Sequence, residues 1–167
     1  GVYFLSSATV RSCTIVSNTA AMDGGGAYGA GIVRDSIIYF NSASNSYPNY
    51  VNEYGAQVSM LYSCTDPKPN DSGSINNDPQ FVDSANGDYR LKFDSPCRNR
   101  GVNESWMTNS VDLDGAPRTV NGLVDMGAYE VHVSRNLLFR DDFNGQIRTN
   151  WTIVRQDAAY YSTSSSW

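Results

Sequence analysis

The chain predicts an all-β fold, a solenoid of short strands stacked coil upon coil, and three observations carry that expectation. Two stretches repeat each other: Val10-Arg11-Ser12-Cys13-Thr14-Ile15-Val16-Ser17-Asn18-Thr19-Ala20 reads onto Val33-Arg34-Asp35-Ser36-Ile37-Ile38-Tyr39-Phe40-Asn41-Ser42-Ala43, each residue displaced by 23. Both are rich in Val, Ile, Thr and Tyr, the residues that suit a pleated, half-buried surface. Between them lies Met22-Asp23-Gly24-Gly25-Gly26, which can turn without a Cβ penalty. A period in the low twenties built on β-rich runs is the mark of a solenoid in which each repeat is one coil.

Residues 8 to 18 and 31 to 41 therefore read as the strands of successive coils. Gly1-Val2-Tyr3 matches Gly26-Ala27-Tyr28, the segment leading into the second copy, so the chain reads as a piece of a longer protein that starts partway round a coil. A third, weaker copy fits at an offset of about 24, with Ser36 onto Met60, Ile38 onto Tyr62 and Phe40 onto Cys64. Side chains two apart share a strand face. The expected inward stack is Cys13/Ile15/Ser17, Ser36/Ile38/Phe40 and Met60/Tyr62/Cys64. Asn18 above Asn41 suits a rung of an asparagine ladder at a corner, or a surface turn residue repeated by descent.

Asn41 to Gly55 reads as an insert bulging from the solenoid, since per-repeat insertions map to loops. Asp66-Pro67-Lys68-Pro69-Asn70-Asp71-Ser72-Gly73 is a breaker-rich loop, followed by short strands at Gln80-Phe81-Val82 and Tyr89-Arg90-Leu91-Lys92. The expected organisation is coils over 1–65, an irregular cap over 66–130 that covers the apolar end of the stack, a linker over 131–136, and the incomplete start of a β-sandwich over 137–167.

Glycine (14 residues), Asn and Ser are plentiful, whereas Lys+Arg total 12 and Asp+Glu 17, so polarity comes from neutral residues, as in a turn-rich β protein of a surface or a secretion. A net charge of -5 would repel a phosphate backbone, which argues against a nucleic-acid partner. No apolar run approaches the length of about 18 residues that spans a bilayer as a helix. Three cysteines and one histidine, His132, lack the spacing of a zinc site. The expected pairing is a disulfide between Cys64 and Cys97, both in the loop-rich region past the repeats. It would close a loop of about 33 residues and stabilise by roughly 3–4 kcal/mol. The alternative is that all three, Cys13 included, are buried thiols.

From Asn77-Asp78-Pro79-Gln80-Phe81-Val82-Asp83, through Gly87-Asp88-Tyr89-Arg90-Leu91 and Ser95-Pro96-Cys97, to Asp112-Leu113-Asp114-Gly115-Ala116-Pro117-Arg118 and Val124-Asp125-Met126-Gly127-Ala128-Tyr129-Glu130, the chain resembles the C-terminal cap of right-handed parallel β-helix proteins of the pectate-lyase-like superfamily, of the choice-of-anchor Q type. It departs at Arg98-Asn99, where the family commonly has Ile-Asp. The run DDFNG followed by Asn150-Trp151 is similar to the opening of concanavalin-like jelly rolls. The resemblance implies a non-catalytic structural or adhesive segment of a secreted or cell-surface bacterial β-helix protein, with polysaccharide or cell-surface glycan as partner. It equally allows the terminal part of a polysaccharide lyase or glycoside hydrolase whose active coils lie upstream.

No catalytic residue is assigned. Arg11, Arg34 and Asp35 share one strand face, with Asp23 at a corner. Stacked arginines repel unless Asp35 or a glycan carboxylate lies between them, so the row reads as an acidic-sugar groove or as a solvated face. Tyr47, Tyr50 and Tyr54 in the insert could stack on sugar rings or pack the loop against the wall. Asp112 and Asp114 before Gly115, with Asp125, present hard oxygens suited to calcium, the one cofactor considered, and suit equally Asx-turns and an ion pair of Asp114 or Asp125 with Arg118.

Overall fold

The computed structural model describes residues 1–53, 56–71 and 73–132, and strands dominate it. The chain divides into Gly1–Val133 and Ser134–Trp167. The sandwich strands expected over 137–167, and the linker beyond His132, lie outside the described residues.

The first pass of the chain lays down β1 (Val2–Phe4), β2 (Thr9–Arg11), β3 (Thr14–Val16) and β4 (Thr19–Ala20). The second repeats the series as β5 (Ala27–Gly29), β6 (Ile32–Arg34), β7 (Ile37–Tyr39) and β8 (Ser42–Ala43). Each strand pairs in parallel with its counterpart: Val2 with Ala27, Val10 with Val33, Ile15 with Ile38 and Ala20 with Ala43. The 23-residue repeat read from the sequence is thus the pairing register of three of these parallel strand pairs, and the match of Gly1-Val2-Tyr3 to Gly26-Ala27-Tyr28, displaced by 25, is that of the fourth. Because β-branched and aromatic residues fall where the pleat is half covered, the short runs hold as strands through their neighbours.

The third pass departs from expectation. After the hairpin of β9 (Asn52–Glu53) and β10 (Ala56–Gln57), β11 (Ser59–Leu61) pairs with β6 and β12 (Cys64–Thr65) with β7. Met60 lies beside Val33 and Cys64 beside Ile37, where an offset of about 24 had put them on Ser36 and Phe40. The hairpin adds residues between passes and so lengthens the repeat. The insert also bulges less than expected, because Ala27 pairs in parallel with Tyr50, and Asn49 to Val51 form a third strand-like run beside β5.

Neighbouring residues of a strand face opposite sides, and β7 shows the consequence. Ile38 enters one buried cluster with Phe4, Ala27, Val33, Tyr50, Val58 and Met60, while Ile37 enters another with Cys64, Phe81, Leu91, Cys97 and Met126. Burial of each such side chain contributes about 1.5–3 kcal/mol. Of the expected inward stack, Ile15 and Ile38 share a register on this inner side, but Phe40 is exposed.

Two corners are held by rows of side-chain hydrogen bonds. At the first, Ser12, Asp35 and Tyr62 adopt positive φ, and each is followed by a rung residue: Cys13, Ser36 and Ser63. The Cys13 N–H donates to Ser36 Oγ (3.0 Å), Ser36 N–H to Ser63 Oγ (3.2 Å) and Ser63 N–H to Ser74 Oγ (3.1 Å). At the second, Ser17 and Phe40 have positive φ and precede Asn18 and Asn41. Asn18 donates through its N–H and its amide to Asn41 Oδ1 (2.9 and 3.0 Å), and Asn41 donates in turn to Asn49 Oδ1. The ladder expected from Asn18 and Asn41 is present, with Asn49 as its third rung. Each bond contributes about 1 kcal/mol net and satisfies a backbone group that the turn strips from the sheet. Gly26 serves close approach rather than positive φ, because a Cβ there would fall on the Asn49 carbonyl and the Ile38 side chain.

Ser74 and Ile75 continue beyond β12, Ile75 bridging Cys64 in parallel. The antiparallel pair β13 (Phe81–Asp83) and β14 (Asp88–Leu91) follows. Of the segment expected as a cap, Asp71, Ser74 and Ile75 lie on the third pass, and its later part forms a side layer that meets all three: Ala128 N–H donates to Thr14 Oγ1 in the first pass, Gly127 N–H to the Asp35 carbonyl in the second, and Cys97 packs in one cluster with Cys64 in the third. Asn99 has a positive φ and its N–H donates to Asp125 Oδ1 (2.7 Å), and the Arg98 guanidinium lies 4.1 Å from the Phe93 ring centre. No helix of the described residues is long and apolar enough to cross a membrane.

Candidate functional site

Register places Arg11 directly beside Arg34 on β2 and β6. Adjacent parallel strands lie about 4.8 Å apart, and like charges directly opposite destabilise a sheet. The side layer supplies the counter-charge: Glu104 Oε2 is 3.1 Å from Arg11 Nε and Oε1 is 3.3 Å from Arg34 Nη1. Asp35 does not take that place. Its carboxylate is buried against the side layer, where Oδ1 accepts from the Val102 N–H (2.8 Å), and burial pushes its carboxyl up, with Glu104 adding to the effect.

Glu104 opens a short 3-10 turn, Ser105–Met107, anchored by the buried Met107. The turn presents Trp106, whose indole N–H donates to Glu104 Oε2 (2.6 Å) while the side chain stays 43% exposed. The result is a cluster of two guanidinium groups, one shared carboxylate and an open aromatic ring, with one surplus positive charge on a chain of net charge -5. Such surface ion pairs contribute only about 0–1 kcal/mol each to folding. Sequence reasoning singled out the arginines and missed Glu104 and Trp106, because pairing across some 70 residues leaves no local pattern. The usable signal was the unbalanced arginine pair itself.

The sugar-stacking expectation is corrected at Tyr50, which packs instead. Tyr50 is 2% exposed and belongs to the inner core, since its run pairs with Ala27. Tyr47 is half-buried at a positive φ, and Tyr54 lies outside the described residues. Asp23 serves its corner, accepting from the Ser46 N–H.

The acidic residues separate. Asp112 and Asp125 are buried and Asp114 is exposed. Asp112 Oδ1 accepts from the N–H groups of Asp114 and Ala116, and Oδ2 from that of Glu130. Asp125 accepts from the N–H groups of Asn99 and Val131. Arg118 approaches Glu130 at 3.4 Å and donates to the carbonyls of Asp125 and Gly127, and His132 Nε2 lies 3.7 Å from Asp112 Oδ2. The arrangement is the Asx-turn and ion-pair alternative, with Glu130 in the role considered for Asp114 or Asp125. No cluster suited to holding a metal is found among the described residues.

All three cysteines are thiols. Cys64 and Cys97 are buried and in hydrogen-bond contact, a contact that together with burial pushes the Cys64 thiol up. Cys13 is half-buried, with its Sγ on the Arg11 carbonyl. No family model, curated protein or solved structure matches this chain.

Proposed function

We propose that the parallel passes are coils of a right-handed β-helix, and that the chain is a non-catalytic structural and adhesive segment of a secreted or cell-surface bacterial protein that contacts acidic glycans. The observation that carries the reading is the Arg11–Glu104–Arg34 row beside the exposed Trp106. The recurring register and the two rows of corner hydrogen bonds support the coil assignment, because they repeat one geometry pass after pass. Guanidinium forks match planar oxyanions and bind them through charge-assisted hydrogen bonds. An indole ring adds a large, rigid contact area at low entropic cost.

Titration calorimetry with a uronic-acid oligosaccharide and its neutral, carboxyl-reduced counterpart tests this. The acidic oligomer is expected to bind and the neutral one not. Arg34→Ala and Trp106→Ala should each weaken binding at least about tenfold, the loss of roughly 1.4 kcal/mol. Glu104→Gln should strengthen it by removing the internal competitor for both arginines. Equal affinity for both sugars, or weakening in Glu104→Gln as large as in Arg34→Ala, would overturn the proposal.

A further inference from the structure

The three thiols occupy unlike places, and geometry distinguishes the pairs. Cys13 heads a corner row in which Ser36 and then Ser63 follow, one strand spacing each. Two spacings amount to about 10 Å, beyond the separation of about 7 Å that a disulfide tolerates between Cα atoms. Cys13 is therefore out of reach of Cys64. Cys64 instead faces the side layer from β12, its Sγ 3.2 Å from the Asn77 carbonyl and its thiol against that of Cys97. Cys97 is itself fixed: its N–H donates to Ser95 Oγ (3.1 Å) and its carbonyl accepts from the Met126 N–H (3.0 Å). Both side chains sit in one apolar cluster with Ile37, Phe81, Leu91 and Met126.

We infer that Cys64 and Cys97 are a dithiol–disulfide couple that, oxidised during folding, bonds the side layer covalently to the third pass of the sheet. The inference goes beyond the glycan reading and does not depend on it. The oxidant is a small-molecule disulfide such as oxidised glutathione. One cysteine thiolate attacks it, forming a protein–glutathione disulfide and releasing one glutathione thiolate. The second cysteine thiolate attacks the protein sulfur of that mixed disulfide, forming the Cys64–Cys97 bond and releasing the second glutathione. The two protons lost from the cysteines end on the two glutathione thiols, and the two electrons reduce glutathione disulfide. Burial of both sulfurs means that exchange takes place before the side layer closes, and that the finished bond is shielded from thiols.

The bond would add a covalent tie to the third pass. Towards the first two passes the layer is held by Glu104 on Arg11 and Arg34, by Val102 and Gly127 on Asp35, and by Ala128 on Thr14. Towards the third pass it is held by the Cys64 thiol on the Asn77 carbonyl and by the packing of Cys64 and Cys97 in one cluster.

The full chain is unfolded in urea with reductant and refolded in a buffer of reduced and oxidised glutathione. It is then unfolded again, alkylated and weighed. One alkyl group, on Cys13, is expected, with a peptide joining Cys64 to Cys97; after reduction three groups are expected. Cys13→Ala should retain the joined peptide and Cys97→Ala should lose it. Oxidation of the wild-type chain should lower its unfolding equilibrium constant by roughly two to three orders of magnitude, as closing a loop of this length predicts. Three alkyl groups after refolding at every glutathione ratio, a bond through Cys13, or equal stability of the oxidised and reduced wild type would each overturn the inference.

Discussion

Asn41→Ala is expected to lower the unfolding free energy by about 3–5 kcal/mol, the range of a buried polar network broken at its centre. Asn41 is the middle rung of the second corner and is 8% exposed. Its Oδ1 accepts twice from Asn18, and its amide donates to the carbonyls of Ile15 and Tyr39 and to Asn49 Oδ1. Truncation leaves the Asn18 N–H and amide without their Oδ1 acceptor, while Asn49 Oδ1 keeps the Asn41 backbone N–H, and each stranded group costs about 1–3 kcal/mol. Asn18→Ala should cost less, about 1 kcal/mol, because that residue is half-buried and its amide reaches only Val16 and Asn41. Asn41→Asp should fall between, since it keeps the acceptor and loses the donors. Urea unfolding followed by circular dichroism measures all three. A loss below about 1 kcal/mol in Asn41→Ala would show that the corner holds without its rung.

Stability is expected to fall as pH rises from 5 to 8, with Glu130 as the main cause. Its carboxyl is pushed up to about 8 by burial and by the charge of Asp125, with Arg118 working against the rise. The unfolded chain titrates this group near 4.3. A folded pKa above the unfolded one favours the protonated form in the fold. The stabilisation is therefore complete below about pH 4, declines as pH rises, and is gone above about 8. A shift of this size corresponds to roughly 4–5 kcal/mol. Asp35 and Asp125 are shifted upward by burial and add in the same direction. Glu130→Gln should flatten most of the decline between pH 6 and 8, because it removes the titrating carboxyl, leaves Arg118 beside Asp125 and keeps an oxygen to accept from the Asp125 N–H. The check is the urea midpoint of both proteins across that range. A wild-type midpoint that holds steady or climbs, or an undiminished slope in Glu130→Gln, would remove Glu130 as the cause.

The parallel pairing of the first two passes was legible because one register governs three of their four strand pairs. Where Val10 repeats as Val33 and Ile15 as Ile38, the residues that must cover the same core position have stayed alike, and the structure pairs them. The third pass was not legible, because the Asn52–Gln57 hairpin lengthens the repeat and a shift of even one residue exchanges the two strand faces. Tyr50 was misplaced for the same reason, since it looked like loop and pairs as strand. The site was half legible. Two arginines one period apart declared an unmet charge, whereas Glu104 and Trp106 reach it from a segment whose own pattern carries no sign of that partnership.

At both corners, the residue held at positive φ varies widely: serine, aspartate and tyrosine at one, serine and phenylalanine at the other. The residue after it is always one that hydrogen-bonds along the stack: cysteine or serine at the first, asparagine at the second. At the second corner, where Ser17 and Phe40 are exposed, the first member of each pair is free to change what the outer surface displays, whereas Asp35 at the first corner is buried. Such a chain can diversify its exterior chemistry, swapping a polar tip for an aromatic one, without renegotiating the fold that carries it.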